Sequence, residues 1–417
     1  MTNLNKRPLA KPTNRRRFLS QALVGTACAA GALSSGMQNL AFAQAPGDQR
    51  LVFVMLRGAM DGLASLVPVG DPNYLSARQD LAIQSGLVPL DSMFALSPGL
   101  AGLAPYWQRG EMIASHAVSI PLRTRSHFDA QAVLETGLGQ TGGRDGWINR
   151  LLGGVNQGKE LSAIAMGEQV PLMLTGSQEV ASWSPSILEA QGDSFMNQLA
   201  ALYANDTTLG GNFAKALELR GQAAEGMMQE MTQSMGGPAS RRRSAAYVQA
   251  LAQAAGQFLS QPDGPRIATL ELGGWDTHAN QGSDGGQLAN RQMRLVEAID
   301  TLRENMASVW DQTTIVVMTE FGRTVEPNGT GGTDHGTGGA AFIIGGQVRG
   351  GQLVGDWPGL APAQRWEGRD LYPANDSRAL LSSVIAPLFD LTATQISRDI
   401  FPGLDNPQTF SGLLRIG

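Results

Sequence analysis

The run Leu51-Val52-Phe53-Val54-Met55-Leu56 decides the fold class of this chain. A strand buried on both faces reads as an unbroken apolar segment, whereas a strand with one solvated face alternates between apolar and polar residues. Further apolar runs lie at 112–118, 267–272, 314–319 and 340–344. Segments with helical spacing lie at 100–108, 128–135, 286–308 and 376–389. This alternation predicts an α/β fold with a central, mostly parallel sheet and helices on both faces.

Residues 150–262 interrupt the alternation with a mostly helical pattern. The segment includes a stretch rich in Ala, Gln and Met at 213–235. We interpret it as a helical insertion within one α/β domain that spans 46–417. No internal repeat is present, and the 52 glycines indicate many tight loops rather than low complexity.

The first 45 residues have the features of a twin-arginine export signal. A polar stretch leads into Arg15-Arg16-Arg17-Phe18-Leu19, a weakly apolar run follows at 22–33, and cleavage sites with small residues end at Ala43 or Ala45. The apolar run is too short and too diluted by polar residues to span ~30 Å of hydrocarbon. We therefore expect passage through the twin-arginine translocase, cleavage without a stable membrane anchor, and a periplasmic or secreted mature protein.

The charge and the cysteine content limit the partners and the metal ligands that the mature protein can have. The whole chain has a formal net charge of −5. Residues 1–45 hold six basic and no acidic side chains, so the mature chain has 25 basic against 36 acidic residues and a net charge of −11. Such a surface disfavours nucleic acid as a partner. The single cysteine, Cys28, is lost with the signal, which excludes disulfides and thiolate metal ligands from the mature protein.

Polar and ionisable residues follow the predicted strands, at the sheet edge where ligands bind in open α/β folds. The candidate site residues in these loops are Asp61, Arg125, Ser126, His127, Asp276, His278, Glu320, Asp334 and His335. Imidazole and carboxylate ligands without thiolates suit Zn²⁺, Mn²⁺, Fe, Mg²⁺ or Ca²⁺. The sequence therefore predicts one or two divalent metal ions at this edge.

Several of these residues also have a purely structural interpretation. Ser126 precedes a predicted helix start, which suits an alkoxide nucleophile or bound anion and equally suits an ordinary N-cap. The Asp61-Gly62 pair fits a simple turn, and Asp334 fits an Asx turn. His116 lies within a predicted strand and reads as a packed core histidine. Glu320 is harder to explain structurally, because a carboxylate directly after an apolar strand costs free energy unless it is paired or metal-bound.

Three motifs resemble those of a twin-arginine-exported family known as domain of unknown function 1501. They are Gly273-Gly274-Trp275-Asp276-Thr277-His278, Thr319-Glu320-Phe321-Gly322-Arg323-Thr324 and Gly332-Thr333-Asp334-His335-Gly336. Shorter matches, such as Arg125-Ser126-His127-Phe128-Asp129, extend the resemblance over almost the whole mature chain. The family in turn resembles the alkaline phosphatase and sulfatase superfamily, which implies a central sheet, two metal sites and a nucleophile at a helix start.

The resemblance implies a role for each candidate. Asp61 resembles the superfamily's first metal-binding Asp, and Ser126 resembles the nucleophile. Asp276 and His278 look like two ligands of one metal site. His335, which comes later in the chain, resembles the histidine that completes this site, and Asp334 is its neighbour in sequence. Glu320 with Phe321 stands where an Asp-His pair is expected, so one His ligand is missing, and His127 is a candidate substitute.

Two functions from different classes follow from these roles. The first is an exported metal-dependent hydrolase of phosphate or sulfate esters, acting on a small anionic ester or a polysaccharide. Ser126 would attack, Arg125 and His127 would assist, Asp276, His278 and His335 would hold one cation, and Asp61 with Glu320 the other. The second is a non-catalytic descendant that keeps a metal and binds an envelope polysaccharide or partner protein. A redox metalloprotein is less favoured, because no haem, iron–sulfur or flavin fingerprint is present.

Overall fold

The computed structural model describes residues 48–155, 162–185, 245–262, 264–404 and 410–415. The predicted export signal and residues 186–244 of the predicted helical insertion lie outside the described residues. The described residues from 48 to 183 and from 245 onward belong to one compact unit. Within the described ranges, no helix is both long enough and apolar enough to cross a bilayer.

Twelve strands are defined within these ranges. They are β1 (Arg50–Arg57), β2 (Leu66–Val67), β3 (Val88–Pro89), β4 (Ala95–Leu96), β5 (Met112–Ser119), β6 (Ala163–Met166), β7 (Ala181–Trp183), β8 (Ile267–Gly273), β9 (Thr313–Thr319), β10 (Gly339–Ile344), β11 (Gln352–Val354) and β12 (Asn375–Asp376).

The α-helices of the same ranges are α1 (Tyr74–Arg78), α2 (Ala104–Gln108), α3 (His127–Thr136), α4 (Trp147–Gly154), α5 (Ala245–Ser260), α6 (Gln287–Asn305), α7 (Ser377–Leu388) and α8 (Ala393–Gln395). Short 3-10 helices cover Gly62–Ala64, Gln79–Leu81, Pro98–Leu103, Leu172–Leu174, Ala307–Gln312 and Pro362–Gln364, and a π-helical turn covers Ile396–Ile400.

The main sheet of the described chain has the order β11-β5-β10-β9-β1-β8-β6-β7, with β12 also paired to β5. Every pair is parallel except those of β10, which runs antiparallel to β5 and β9. The predicted mostly parallel sheet is confirmed. Because β10 opposes both neighbours, β5 runs the same way as β9. The loops after β1, β5, β8 and β9 therefore emerge at one edge of the sheet.

The apolar run that predicted β1 is buried on both faces. Residues 51–56 are at most 1% exposed. Leu51, Phe53 and Met55 pack in one cluster with side chains of α3, α4 and α7. The ring of Phe53 meets that of Trp147 edge-on at 5.6 Å. On this central strand, burial of both faces accounts for the unbroken apolar pattern.

The mostly helical interpretation of 150–262 is wrong for residues 162–185. There the chain forms β6 and β7, which extend the sheet beyond β8. The four-residue apolar run of β6 is short enough to be a strand, and pairing with β8 satisfies its backbone groups. The helical pattern is correct at the end of the segment, where α5 packs on α6 and β8.

Candidate metal centre

Three imidazoles and one carboxylate meet at the sheet edge. Nε2 of His335 lies 3.0 Å from Nε2 of His127 and 2.9 Å from Nε2 of His278. Asp276 joins them, because its Oδ1 lies 3.0 Å from Nε2 of His278 and its Oδ2 lies 3.3 Å from Nε2 of His127. These four residues, which we call the His/Asp group, come from the loops after β5, β8 and β9.

Each imidazole of the His/Asp group uses its other nitrogen to reach an acceptor. The contacts are His127 Nδ1 to Glu320 Oε1 at 2.8 Å, His278 Nδ1 to Asp334 Oδ1 at 3.0 Å, and His335 Nδ1 to the Arg125 carbonyl oxygen at 2.7 Å. Carboxylates and carbonyls only accept hydrogen bonds, so each Nδ1 carries the proton. An imidazole protonated only on Nδ1 presents a free lone pair on Nε2.

This arrangement fits a divalent cation. Lone pairs and a carboxylate packed this closely repel one another unless a positive charge lies between them. Two ligand atoms ~2.1 Å from one ion are about 3.0 Å apart at a right angle and about 3.4 Å apart at a tetrahedral angle. The observed separations of 2.9 to 3.3 Å match. Ligand atoms of His127, Asp276 and His335 all lie within 4.8 Å of one another, and His278 joins these three through its contacts with His335 and Asp276.

The titration of two imidazoles in the His/Asp group differs in direction. A hydrogen bond to Glu320, larger in effect than burial, raises the pKa of His127. Burial lowers the pKa of His335, and the neighbouring His127 adds to the effect. A proton on Nε2 and a metal ion therefore compete for the same lone pair, which makes metal binding depend on pH.

The carboxylate of Glu320 contacts the His/Asp group through His127. The residue is fully buried, and its Oε1 accepts hydrogen bonds from the backbone N–H of Gly58 and from Gln131, each at 2.9 Å, as well as from His127. Burial pushes its pKa upward, but the bonds from His127 and Gln131 outweigh this, and the pKa of Glu320 lies below its usual range. The carboxylate thus stays charged and fixes the tautomer and orientation of His127.

Gly58 allows the first-strand loop to approach this site closely. Its φ is +117°, and a Cβ atom there would lie 2.6 Å from the backbone nitrogen of Asp276. Only glycine fits both restraints. The backbone contact places the loop after β1 directly against the loop that holds Asp276.

Asp61 lies outside the His/Asp group, contrary to its predicted place beside Glu320 at a second cation. It is buried and caps the short helix Gly62–Ala64, where its Oδ1 accepts from the backbone N–H of Leu63 at 3.1 Å. Its Oδ2 forms a close ion pair with buried Arg78 and accepts from Gln281 at 2.7 Å. Hydrogen bonds and an ion pair occupy the carboxylates of Asp61 and Glu320 in this structure, and a second cation at these two residues stays a prediction.

The two arginines near the site are also engaged. Arg323, which is fully buried, donates from Nη1 to Oδ1 of Asp276 at 2.5 Å. Burial raises the pKa of Asp276, but the hydrogen bond and charge of Arg323 outweigh it and the pKa is lowered. Arg125, predicted to clamp substrate oxygens, instead donates at 2.9 Å to both Glu367 and Asp370.

Ser126 is the N-cap of α3, immediately before His127. Its Oγ accepts from the backbone N–H of Asp129 at 3.4 Å. The structural interpretation of Ser126 is thus observed, and its role as a nucleophile stays a prediction. The half-buried hydroxyl lies at the helix end that carries the positive dipole.

Two further observations concern residues outside the His/Asp group. His116 is buried in β5, where its Nδ1 accepts from the N–H of Ala117 at 2.8 Å, as expected for a core histidine.

Gln131 was missed by sequence reasoning. It follows His127 by four residues on one face of α3, and this i, i+4 spacing was the available signal.

Comparisons with known proteins concern the family and the fold. Residues 107–377 match the family described as Protein of unknown function (DUF1501). A comparison with curated proteins found no match. The crystal structure of Ps i-CgsB in complex with k-i-k-neocarrahexaose is 12% identical, with a TM-score of 0.39 over 84% of this chain and 74% of that chain. The phosphonate monoester hydrolase of Agrobacterium radiobacter is 12% identical, with a TM-score of 0.30 over 73% of this chain and 70% of that chain. The segment matched by the family contains the whole His/Asp group, and the chain belongs to the DUF1501 family.

Proposed function

We propose that this protein is an exported, metal-dependent hydrolase of phosphate or sulfate esters. One observation supports it above the others: three Nε2 lone pairs and the Asp276 carboxylate converge while every Nδ1 is held by an acceptor. His127, Asp276, His278 and His335 would hold one divalent ion. When bound, such an ion stabilises negative charge on ester oxygens and lowers the pKa of coordinated water.

Ser126 is the proposed nucleophile. It precedes the ligand His127, and the carbonyl of its other neighbour, Arg125, binds His335. Its Oγ would form a bond to phosphorus or sulfur while the bond to the ester oxygen breaks, and the hydroxyl proton would end on the leaving alcohol. The N-terminus of α3 would stabilise the negative charge that develops there. Water would then hydrolyse the covalent intermediate.

The cellular part of this proposal rests on the sequence. The twin-arginine signal that we propose for residues 1–45 would direct the chain to the translocase and the mature protein to the periplasm or the cell exterior. A small anionic ester or an anionic polysaccharide would be the substrate there.

A second candidate function is a metal-bearing binding protein without catalytic activity. Structural zinc sites have four protein ligands, whereas catalytic zinc keeps one position open. The His/Asp group offers four donor residues, and Asp61 and Glu320 are both occupied by other partners. This donor count favours a structural ion, and the bound partner would be an envelope polysaccharide or a protein.

A turnover assay on the mature chain separates the two functions. Metal content is measured first, and aryl phosphates and aryl sulfates are then offered with and without a chelator. The hydrolase proposal expects turnover that the chelator abolishes and that added divalent metal restores. A protein that retains a stoichiometric ion but hydrolyses neither ester class would overturn the hydrolase and favour the binding protein.

A further inference from the structure

Arg123 is an exposed cation on the loop that leads to His127. Its Nη1 donates to Ser119 Oγ at 3.2 Å and to the carbonyl oxygen of Ile120. Among the described residues, no carboxylate forms an ion pair with Arg123, and neither its Nε nor its Nη2 makes a hydrogen bond. The negative charge of Asp376, which is paired with Arg378, acts on it without direct contact. Arg125, two residues later, is paired with both Glu367 and Asp370. Arg123 is thus anchored by one nitrogen and offers the others to a ligand.

Two aromatic rings lie beside this guanidinium. The Trp366 ring centre is 5.9 Å from the guanidinium carbon of Arg123. Tyr372 lies 5.8 Å from Trp366, between ring centres, at an interplanar angle of 58°. Tyr372 is 45% exposed, so part of its ring is accessible to a ligand. The three side chains form a surface that combines a positive charge with aromatic faces.

A tight hairpin holds Trp366 in place. Trp366 and Asp370 exchange backbone hydrogen bonds of 2.9 and 3.0 Å across it. Glu367 at its tip has a φ of 53°, a left-handed conformation that costs a non-glycine residue on the order of 1 kcal/mol. The ion pairs of Arg125 with Glu367 and Asp370 offset that cost and fix the hairpin.

Arg125 joins the surface of Arg123, Trp366 and Tyr372 to the metal centre. The carbonyl oxygen of Arg125 accepts from His335, while its guanidinium holds the hairpin that carries Trp366. Arg123 lies four residues before His127 in the same loop. The surface of Arg123, Trp366 and Tyr372 is therefore connected to the His/Asp group through Arg125 and the loop before His127.

We propose that Arg123, Trp366 and Tyr372 form a subsite for a ring that bears a negatively charged substituent. The guanidinium would bind the carboxylate or sulfate of that ring with two hydrogen bonds, and the aromatic faces would stack on the ring. The subsite rests on the proposed function in one respect: the ring is taken to be the non-reacting part of the ester substrate. Acidic sugars and aryl sulfonates share this chemistry.

Calorimetric titration of the metal-loaded mature protein tests the subsite. The probes are a disaccharide containing glucuronic acid, its neutral glucose counterpart and a naphthalene sulfonate. The variants are Arg123→Gln, Trp366→Ala and Tyr372→Ala. Arg303→Gln is the matched control, because Arg303 lies 5.6 Å from the Trp310 ring away from the site. Circular dichroism checks that each variant folds.

We expect the wild type to bind one of the acidic probes and to bind the neutral sugar at least about tenfold more weakly. Arg123→Gln should lose about tenfold in affinity for that probe, and each aromatic variant several-fold, while Arg303→Gln binds as the wild type does. Preference for the glucuronate probe identifies an acidic sugar, and preference for the sulfonate identifies an aryl group. Equal binding of charged and neutral probes, no binding of any probe, or wild-type affinity in all three variants overturns the subsite. If binding behaves as expected but no ester is hydrolysed, the proposed function fails and the subsite stands.

Discussion

His127 donates its Nδ1 proton to Oε1 of Glu320 over 2.8 Å, and the carboxylate that receives it is fully buried. This contact links the end of β9 to the first residue of α3. It turns Nε2 of His127 toward His335 and Asp276. Glu320 therefore supports His127 without belonging to the His/Asp group. Its contribution can be tested separately from those of the four members of the group.

Glu320→Gln should weaken metal binding without creating a cavity beside His127. The amide keeps the size of the side chain but removes the charge that favours the Nδ1–H tautomer. We expect metal affinity to fall roughly 10- to 100-fold, measured by competition with a chromogenic chelator. Glu326→Gln is the control, because Glu326 is exposed and paired with Arg365. Equal affinities in wild type and Glu320→Gln would contradict the assigned support.

Removal of the metal should lower the melting temperature. An ion that binds only the folded chain and is present at 100 times its Kd stabilises the fold by about 2.7 kcal/mol. For a chain of this length that corresponds to a rise of roughly 3–4 °C in the melting temperature. Scanning calorimetry with and without chelator measures the shift. In His335→Ala the chelator should have little further effect, because His335 contacts the other three members of the His/Asp group. A chelator effect as large in the variant as in the wild type speaks against the site.

Substitutions at Ser126 can separate capping from catalysis. Asparagine caps a helix as well as serine does but has no nucleophilic hydroxyl, whereas threonine keeps both functions. We expect Ser126→Asn to lower the kcat for ester hydrolysis at least about a thousandfold with unchanged metal content, and Ser126→Thr to retain measurable turnover. Wild-type turnover in Ser126→Asn removes Ser126 from the chemistry.

Asp61→Asn should destabilise the fold and leave metal content unchanged. The substitution leaves the buried guanidinium of Arg78 without its ion-pair partner, a change that typically costs about 3–5 kcal/mol. Denaturant unfolding measures the loss, and metal analysis of the same sample tests the second part. Loss of one equivalent of metal would restore Asp61 as a ligand.

His116 should make stability depend on pH. Burial lowers its pKa from 6.5 to about 4, so the unfolded chain binds this proton at a higher pH than the folded chain does. The contribution of His116 to the free energy of unfolding is therefore complete above pH 6.5. It is lost as the pH falls toward 4, and the total loss is about 3 kcal/mol. Unfolding free energies measured across this range should fall less steeply in His116→Gln. Parallel curves for the two proteins would contradict the assignment.

The local part of the metal centre was predictable from sequence, and the distant part was not. Asp276 and His278 are two residues apart in one loop, and this spacing alone brings Oδ1 to within 3.0 Å of Nε2. Placing His335 beside them required the direction of β9 and β10. The sequence also suggested a metal role for Glu320, because a charge after an apolar strand needs a partner. It did not show that the partner is an imidazole on α3.

Asp61 illustrates a different limit. A carboxylate after the first strand can bind a cation or an arginine, and both satisfy the same burial cost. Arg78 lies in α1, a short helix without a strong pattern, and nothing in its spacing relates it to Asp61. Similarly, the apolar run of β6 fits a strand or a buried helix until its pairing with β8 is known.

The ligands of the His/Asp group are separated by up to 208 positions along the chain. An unfolded chain offers only Asp276 and His278 as a local pair, and His127 and His335 join them after the parallel strands have assembled. An ion bound there would be captured late in folding. It would slow unfolding far more than it accelerates folding, because the transition state would precede the complete site. A chain exported in the folded state would therefore acquire its ion from the cytosolic metal pool, and that pool, together with the donor atoms, would determine which metal it carries.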